Sequence, residues 1–114
     1  MTRVYKILSR ADWEAALGAG RFDGSPVDAR DGFIHLSTAA QAQETAARHF
    51  AGRSGLVLAG FDAAALGDAL RWEPSRHGDL FPHLYAALDP ALAVELRDLV
   101  LGPDGVPQIG EPTP

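Results

Sequence analysis

The sequence contains no cysteine, which excludes a disulfide framework, a thiol nucleophile and a thiolate zinc site. Imidazole, carboxylate, hydroxyl and guanidinium groups are left to carry any chemistry. No apolar run is long enough to span a bilayer, and the opening Met1-Thr2-Arg3-Val4-Tyr5-Lys6-Ile7-Leu8 lacks the apolar stretch of a secretory signal. The expected compartment is the cytoplasm, which also fits the missing disulfides. Positive charge is scarce: 10 Lys and Arg stand against 15 Asp and Glu, a formal net charge of -5. There is therefore no global basic field to draw nucleic acid. The glycine-rich phosphate and dinucleotide fingerprints, the nucleophile elbow, the HExxH zinc motif and the calcium-loop spacing are all missing. Internal repeats, coiled-coil heptads and low-complexity tracts are missing too.

What is present is one domain's worth of ordinary globular sequence: 114 residues, 46% hydrophobic and 22% charged. Residues 1–106 read as a single domain. Residues 107–114 hold three prolines and little to bury, and are expected as a mobile or surface-draped end.

Val4–Leu8 reads as a strand, and Ser9 as the cap of a helix that carries Trp13, Ala16 and Leu17 on one face and is ended by Gly18 and Gly20. Arg21–Gly32, with Gly24, Pro26 and Gly32, reads as a surface loop. After a strand around His35, Thr38-Ala39-Ala40-Gln41 has the spacing of a capping box before an Ala-rich helix reaching about Phe50. Leu56–Phe61 and Ala69–Glu73 read as strands, and Asp62–Leu66 as a short helical turn stopped by Gly67. Leu80–Leu88 is expected as a further strand after the polar connection Pro74–Asp79. Leu92–Leu101 fits either period; the Pro103-Asp104-Gly105 turn behind it favours a strand.

Two runs stand out. In Gly32-Phe33-Ile34-His35-Leu36-Ser37, strand alternation puts Phe33, His35 and Ser37 on one face. In Phe81-Pro82-His83-Leu84-Tyr85 it does the same for Phe81, His83 and Tyr85, and Pro82 marks an edge or bulged strand that a ligand could approach. The two polar-aromatic faces are expected to meet in one cleft. Ser37 stands where a strand passes into a helix, so free backbone N–H groups lie near it. Arg76 supplies a local cation suited to one phosphate or carboxylate. Glu73, between Trp72 and Pro74 at a strand end, can project a carboxylate into the cleft or pair at the surface with Arg71 or Arg76. The candidate catalytic residues are Glu73 and His83. The candidate ligand contacts are His35, Ser37, Arg76, Phe81 and Tyr85, with the Tyr85 ring as a stacking platform. His77 in a polar loop and His49 at the end of a helix read as ordinary. A metal site would have to use His35, His83 and Glu73, and no close ligand spacing supports it.

The blocks Val4-Tyr5-Lys6-Ile7, Trp13, Gly32 to Ser37, Trp72-Glu73 and Phe81 to Tyr85, in this order, resemble an uncharacterised, mostly bacterial family catalogued as domain of unknown function 952. The resemblance covers nearly the whole chain except the tail. It implies an ADP-ribosyltransferase-like fold, a small α+β domain with a split antiparallel sheet, two or three short helices and a cleft for nicotinamide dinucleotide (NAD). His35-Leu36-Ser37 is similar to the His-x-Ser/Thr element of such transferases, which implies His35 on a ribose hydroxyl and Ser37 at the carboxamide. Tyr85 would then supply the stacking ring, and Glu73 would orient a nucleophile or stabilise an oxocarbenium-like centre.

The expected function is a cytoplasmic, His-lined cleft for NAD, ADP-ribose or another phosphorylated nucleotide, with ADP-ribosyl transfer or glycosidic cleavage as its candidate activity. NAD enters as substrate or ligand, and no other cofactor is expected. The expected partner is this small molecule rather than nucleic acid or a membrane. The alternatives are a noncatalytic binding module for a small molecule or protein, and a metal-dependent hydrolase.

Overall fold

Strand β1 (Arg3–Ser9) is buried on both faces, and its apolar residues are interrupted by a buried Lys6. The computed structural model describes residues 2–114. Val4 and Leu8 pack with Trp13, Phe61 and Leu84 on one face of β1, and Tyr5 and Ile7 pack with Ala42, Ala46 and Leu58 on the other.

Two helices owe their starts to hydroxyl caps. Helix α1 (Arg10–Ala19) begins where the Asp12 N–H donates to Ser9 Oγ at 3.0 Å, and it ends on Gly20 in the left-handed region at φ 77°. Gly18 stays inside the helix. Residues 21–32, expected as a loop, contain helix α2 (Pro26–Asp31). Pro26 presets its first turn, and the Asp28 carboxylate accepts the Ser25 N–H at 2.8 Å.

The strand expected through His35 is broken into β2 (Ile34–His35) and β3 (Ser37–Thr38), which belong to different sheets. The Thr38 capping box with Gln41 then starts helix α3 (Ala39–His49). Strands β4 (Leu56–Asp62), β5 (Leu70–Pro74), β6 (Leu80–Leu84) and β7 (Ala93–Asp98) follow. They complete a four-stranded sheet of order β3-β1-β4-β7 and a three-stranded sheet of order β2-β6-β5, both antiparallel.

Pro82 accounts for the split. Its carbonyl accepts the Leu36 N–H at 3.1 Å, but a proline has no N–H to return to Leu36, so the β2–β6 ladder stops there. The expectation that Pro82 marks an edge or bulged strand fails, because β6 is the central strand of its sheet and keeps its register with β5 through Pro82. The strand expected to reach Leu88 ends at Leu84. The Tyr85 N–H donates to the Ala69 carbonyl at 2.8 Å, and Leu88 makes only an isolated bridge to Phe22.

Within Leu92–Leu101 the strand reading holds for β7, entered by a 3-10 turn at Pro90–Leu92, and β8 (Val100–Leu101) follows. The last residues, expected to have little to bury, form β9 (Pro107–Gln108) against β8 and place Ile109 in the core at 1% exposure. The Gln43 side chain holds this segment from both sides: its Nε2 donates to the Pro107 carbonyl and its Oε1 accepts the Ile109 N–H, each at 3.0 Å.

The architecture is α+β, with three α-helices, short 3-10 turns and antiparallel sheets among the described residues. No helix among them is long and apolar enough to cross a membrane.

Candidate functional site

A cavity of about 580 Å³ opens where α2, α3 and the Ser75–Arg76 loop meet the break between β2 and β3. His35, Ser37, Arg76, Phe81 and His83 all line it. Glu73 and Tyr85 do not; they hold His83 from outside the cavity wall.

His35 is clamped. Its N–H donates to Asp28 Oδ1 at 3.0 Å, its ring Nδ1 lies 2.7 Å from the same oxygen, and Nε2 lies 2.9 Å from Asp31 Oδ2. Asp28 is an interior carboxylate, its side chain 1% exposed, and Lys6 Nζ reaches its Oδ2 at 2.9 Å and the His35 carbonyl at 3.1 Å. Burial alone would raise the Asp28 pKa, but the His35 hydrogen bonds and the Lys6 charge outweigh it and hold the carboxyl well below the usual carboxylate range.

His83 is presented differently. Its Nδ1 lies 2.8 Å from Glu73 Oε1, and the Tyr85 hydroxyl donates to that oxygen at 2.7 Å. The Phe33 ring stacks on the imidazole at 4.0 Å between centres. A carboxylate can only accept, so Nδ1 carries a hydrogen, and in the neutral tautomer the lone pair is on Nε2. Among the described residues Nε2 has no hydrogen-bond partner, and the residue forms part of the cavity wall. The hydrogen bonds from Tyr85 and His83 keep the Glu73 carboxyl below its ordinary pKa, and the same Glu73 bond pushes the Tyr85 phenol up. Tyr85 lines a separate recess of about 270 Å³ with Phe33 and Ala86.

Ser37, Thr45 and Arg76 form a third group. The Thr45 hydroxyl donates to the Gln41 carbonyl at 3.2 Å, which leaves the Ser37 hydroxyl to donate to Thr45 Oγ1 at 2.9 Å. Arg76 Nη2 donates to the same Oγ1 at 2.9 Å, and its guanidinium lies 4.8 Å from the centre of the Phe81 ring. Nε and Nη1 of Arg76 are buried without a hydrogen-bond partner among the described residues.

His49, taken as ordinary in the sequence, also lines the cavity, together with Asp31 and Arg53. It follows Thr45 by one helical turn, so the period of α3 was the signal that could have found it. Burial, then Arg76, pushes its imidazole below the ordinary range. The metal set suggested by His35, His83 and Glu73 does not converge, since Asp28 and Asp31 take both His35 nitrogens and Glu73 takes Nδ1 of His83. No group of three or more such side chains among the described residues is arranged to hold a metal ion.

The chain resembles known proteins along most of its length. The profile of the family described as "Protein of unknown function (DUF952)" matches residues 7–96. The crystal structure of protein CC0527 from Caulobacter crescentus is similar at 56% identity, with 95% of each chain covered and a TM-score of 0.93. The solution NMR structure of the same protein is similar at 56% identity, covering 96% of this chain and 95% of that one, with a TM-score of 0.86. No curated protein matches at a significant level.

Proposed function

The chain belongs to the DUF952 family of proteins of unknown function, and from that premise and the chemistry of its cavity we propose that it binds a phosphorylated nucleotide such as ADP-ribose or NAD and acts on the glycosidic bond. The observation that carries this reading is His83: a carboxylate fixes its Nδ1 while Nε2 has no partner among the described residues, in a cavity that Arg76 also lines. That is the arrangement of an oriented general base. The volume of about 580 Å³ falls within the range of about 300–1,000 Å³ typical of small-molecule sites.

In this reading Arg76 meets a phosphate, Phe81 packs against the ligand and Ser37 approaches the carboxamide, while His35, with both ring nitrogens held by Asp28 and Asp31, contributes to the wall. Glu73 is a positioning residue, because it reaches the cavity only through His83. When NAD is bound as substrate, its glycosidic C–N bond breaks, nicotinamide leaves with the bonding pair, and the oxygen of the incoming hydroxyl or water bonds the anomeric carbon as it loses its proton to His83 Nε2. The split sheet with His35-Leu36-Ser37 at its break supports an ADP-ribosyltransferase-like assignment of the fold, and the lack of cysteine supports a cytoplasmic setting.

Calorimetric titration with ADP-ribose and NAD, followed by an assay of nicotinamide release, tests the reading. Saturable binding that His83→Ala weakens by about tenfold or more is expected. Turnover, where seen, should fall by about 10²–10⁴ in that variant. Binding without nicotinamide release would make the chain a binding module for the same ligand class. No saturable binding of either nucleotide would overturn the reading.

A further inference from the structure

Four cations line the cavity, and two of them are neutralised: Lys6 by Asp28 at 2.9 Å and Arg30 by Asp31 at 3.0 Å. The other two are not. Arg53 has no carboxylate within 4.0 Å among the described residues, and its guanidinium lies 5.1 Å from the centre of the Phe50 ring. Among the described residues the carboxylate that Arg76 meets is Glu44, at 3.7 Å, and Glu44 is shared with Arg48 at 3.2 Å and His77 at 3.6 Å. In a chain of net charge -5 these two cations lie on the wall of one cavity, which the carboxylates Asp12 and Asp31 also line.

Arg76 adds a sharper observation. Its side chain is 13% exposed, yet Nε and Nη1 have no hydrogen-bond partner among the described residues. Buried charged donors left without acceptors are costly, and such an orphan beside a cavity marks the place of a missing acceptor. Thr45 bonds Nη2 of Arg76 and stands one turn before His49 on α3, so Arg76 and His49 belong to the same stretch of wall. His49 is itself pushed toward its neutral form, by burial first and then by Arg76, His35 and Arg48, and an anion placed there would reverse that bias.

We propose that Arg76, Arg53 and His49 form a subsite for a doubly charged phosphate group, either a terminal phosphomonoester or a pyrophosphate linkage, whose ligand extends toward His83. The proposal rests on the reading of this cavity as a phosphorylated-ligand site and deepens it by naming the charge that is read. A carboxylate or a single phosphodiester brings one charge. A monoester brings about 1.5 to 2 at neutral pH with three acceptor oxygens, and a pyrophosphate linkage brings one charge on each phosphate. A guanidinium with no carboxylate within 4.0 Å among the described residues, a second that shares Glu44 with Arg48 and His77, and an imidazole able to take up a proton match the doubly charged group.

The test compares AMP, which ends in a monoester, ADP-ribose, which carries a pyrophosphate, and cyclic AMP, whose diester is singly charged. Affinity and the imidazole NMR signals of His49 and His83 are followed together. AMP or ADP-ribose is expected to bind about tenfold tighter than cyclic AMP and to move His49 toward its protonated form. Whichever of the two binds tighter distinguishes monoester from pyrophosphate. Arg76→Gln should remove most of this preference, and Arg53→Gln, a change at an exposed position, should reduce it without disturbing the fold. Equal binding of all three, with His83 responding and His49 silent, would overturn the subsite and leave the cavity reading standing. Silence of both histidines toward all three nucleotides would overturn both.

Discussion

Glu73 and His83 face each other diagonally across adjacent strands: Glu73 pairs with Phe81 and His83 with Arg71, and the carboxylate reaches Nδ1 of the imidazole at 2.8 Å. The diagonal spends the carboxylate on one nitrogen and leaves the other for the cavity. Half the chemistry proposed for this protein depends on that division of the ring.

Glu73→Gln removes the division while keeping the shape. The amide can offer its N–H₂ to Nδ1, which would place the ring hydrogen on Nε2 and take away the lone pair facing the cavity. Stability should change by no more than about 1 kcal/mol, because the Glu73 side chain is partly solvated. The imidazole nitrogen spectrum of His83 should show the exchanged tautomer, and ligand turnover should fall with it.

Lys6 and Asp28 are a different kind of pair, interior and shared with His35. Lys6→Met leaves Asp28 buried with one partner fewer and should cost about 3–5 kcal/mol in urea unfolding. Adding Asp28→Asn should cost less than its own single effect, since the two residues share one network. The pKa of Asp28 is lower folded than unfolded. Its stabilising contribution is therefore present above the ordinary carboxylate value of about 3.9 and is lost as pH falls toward the folded value. Thermal melts below about pH 4 should be steeper in pH for the wild type than for Asp28→Asn.

At the alkaline end Tyr5 governs. Burial, then its hydrogen bond to Glu95 at 2.9 Å, pushes its phenol up to about 12 from 10.0. A group whose pKa is raised on folding contributes stability below its unfolded value and loses it as pH rises through the folded one. Stability should thus decline between pH 10 and about 12. Tyr5→Phe should flatten that decline, as read by melting temperatures across the range.

Ile109 is expected to anchor the chain's end. Its side chain is buried beside Tyr5, Leu58 and Ala46, so Ile109→Ala should cost about 2 kcal/mol or more. Gln43→Ala removes both hydrogen bonds that hold the segment and should raise amide exchange at Gln108 and Ile109 before it changes global unfolding.

Much of the fold is legible locally. Ser9 and Thr38 announce their helices because capping needs only neighbours, and the alternation around His35 and His83 brings both rings to one cavity wall. What was missed depends on distant partners or on residues with two uses. Pro26 and Asp28 read equally well as loop residues, so α2 and the carboxylate behind His35 stayed hidden. The break at Leu36 is set by Pro82, whose missing N–H matters only once β6 lies beside β2. The burial of Ile109 needs Gln43 from α3. His49 looked like a helix-end cation until the packing of α3 turned it toward the cavity.

The most direct measurement is the imidazole nitrogen NMR of His83 during titration with ADP-ribose at neutral pH. A saturable displacement of Nε2, with the hydrogen bond from Nδ1 to Glu73 kept, is the expected result. Saturable binding that leaves the His83 nitrogens unmoved would contradict the assignment of this ring to the ligand.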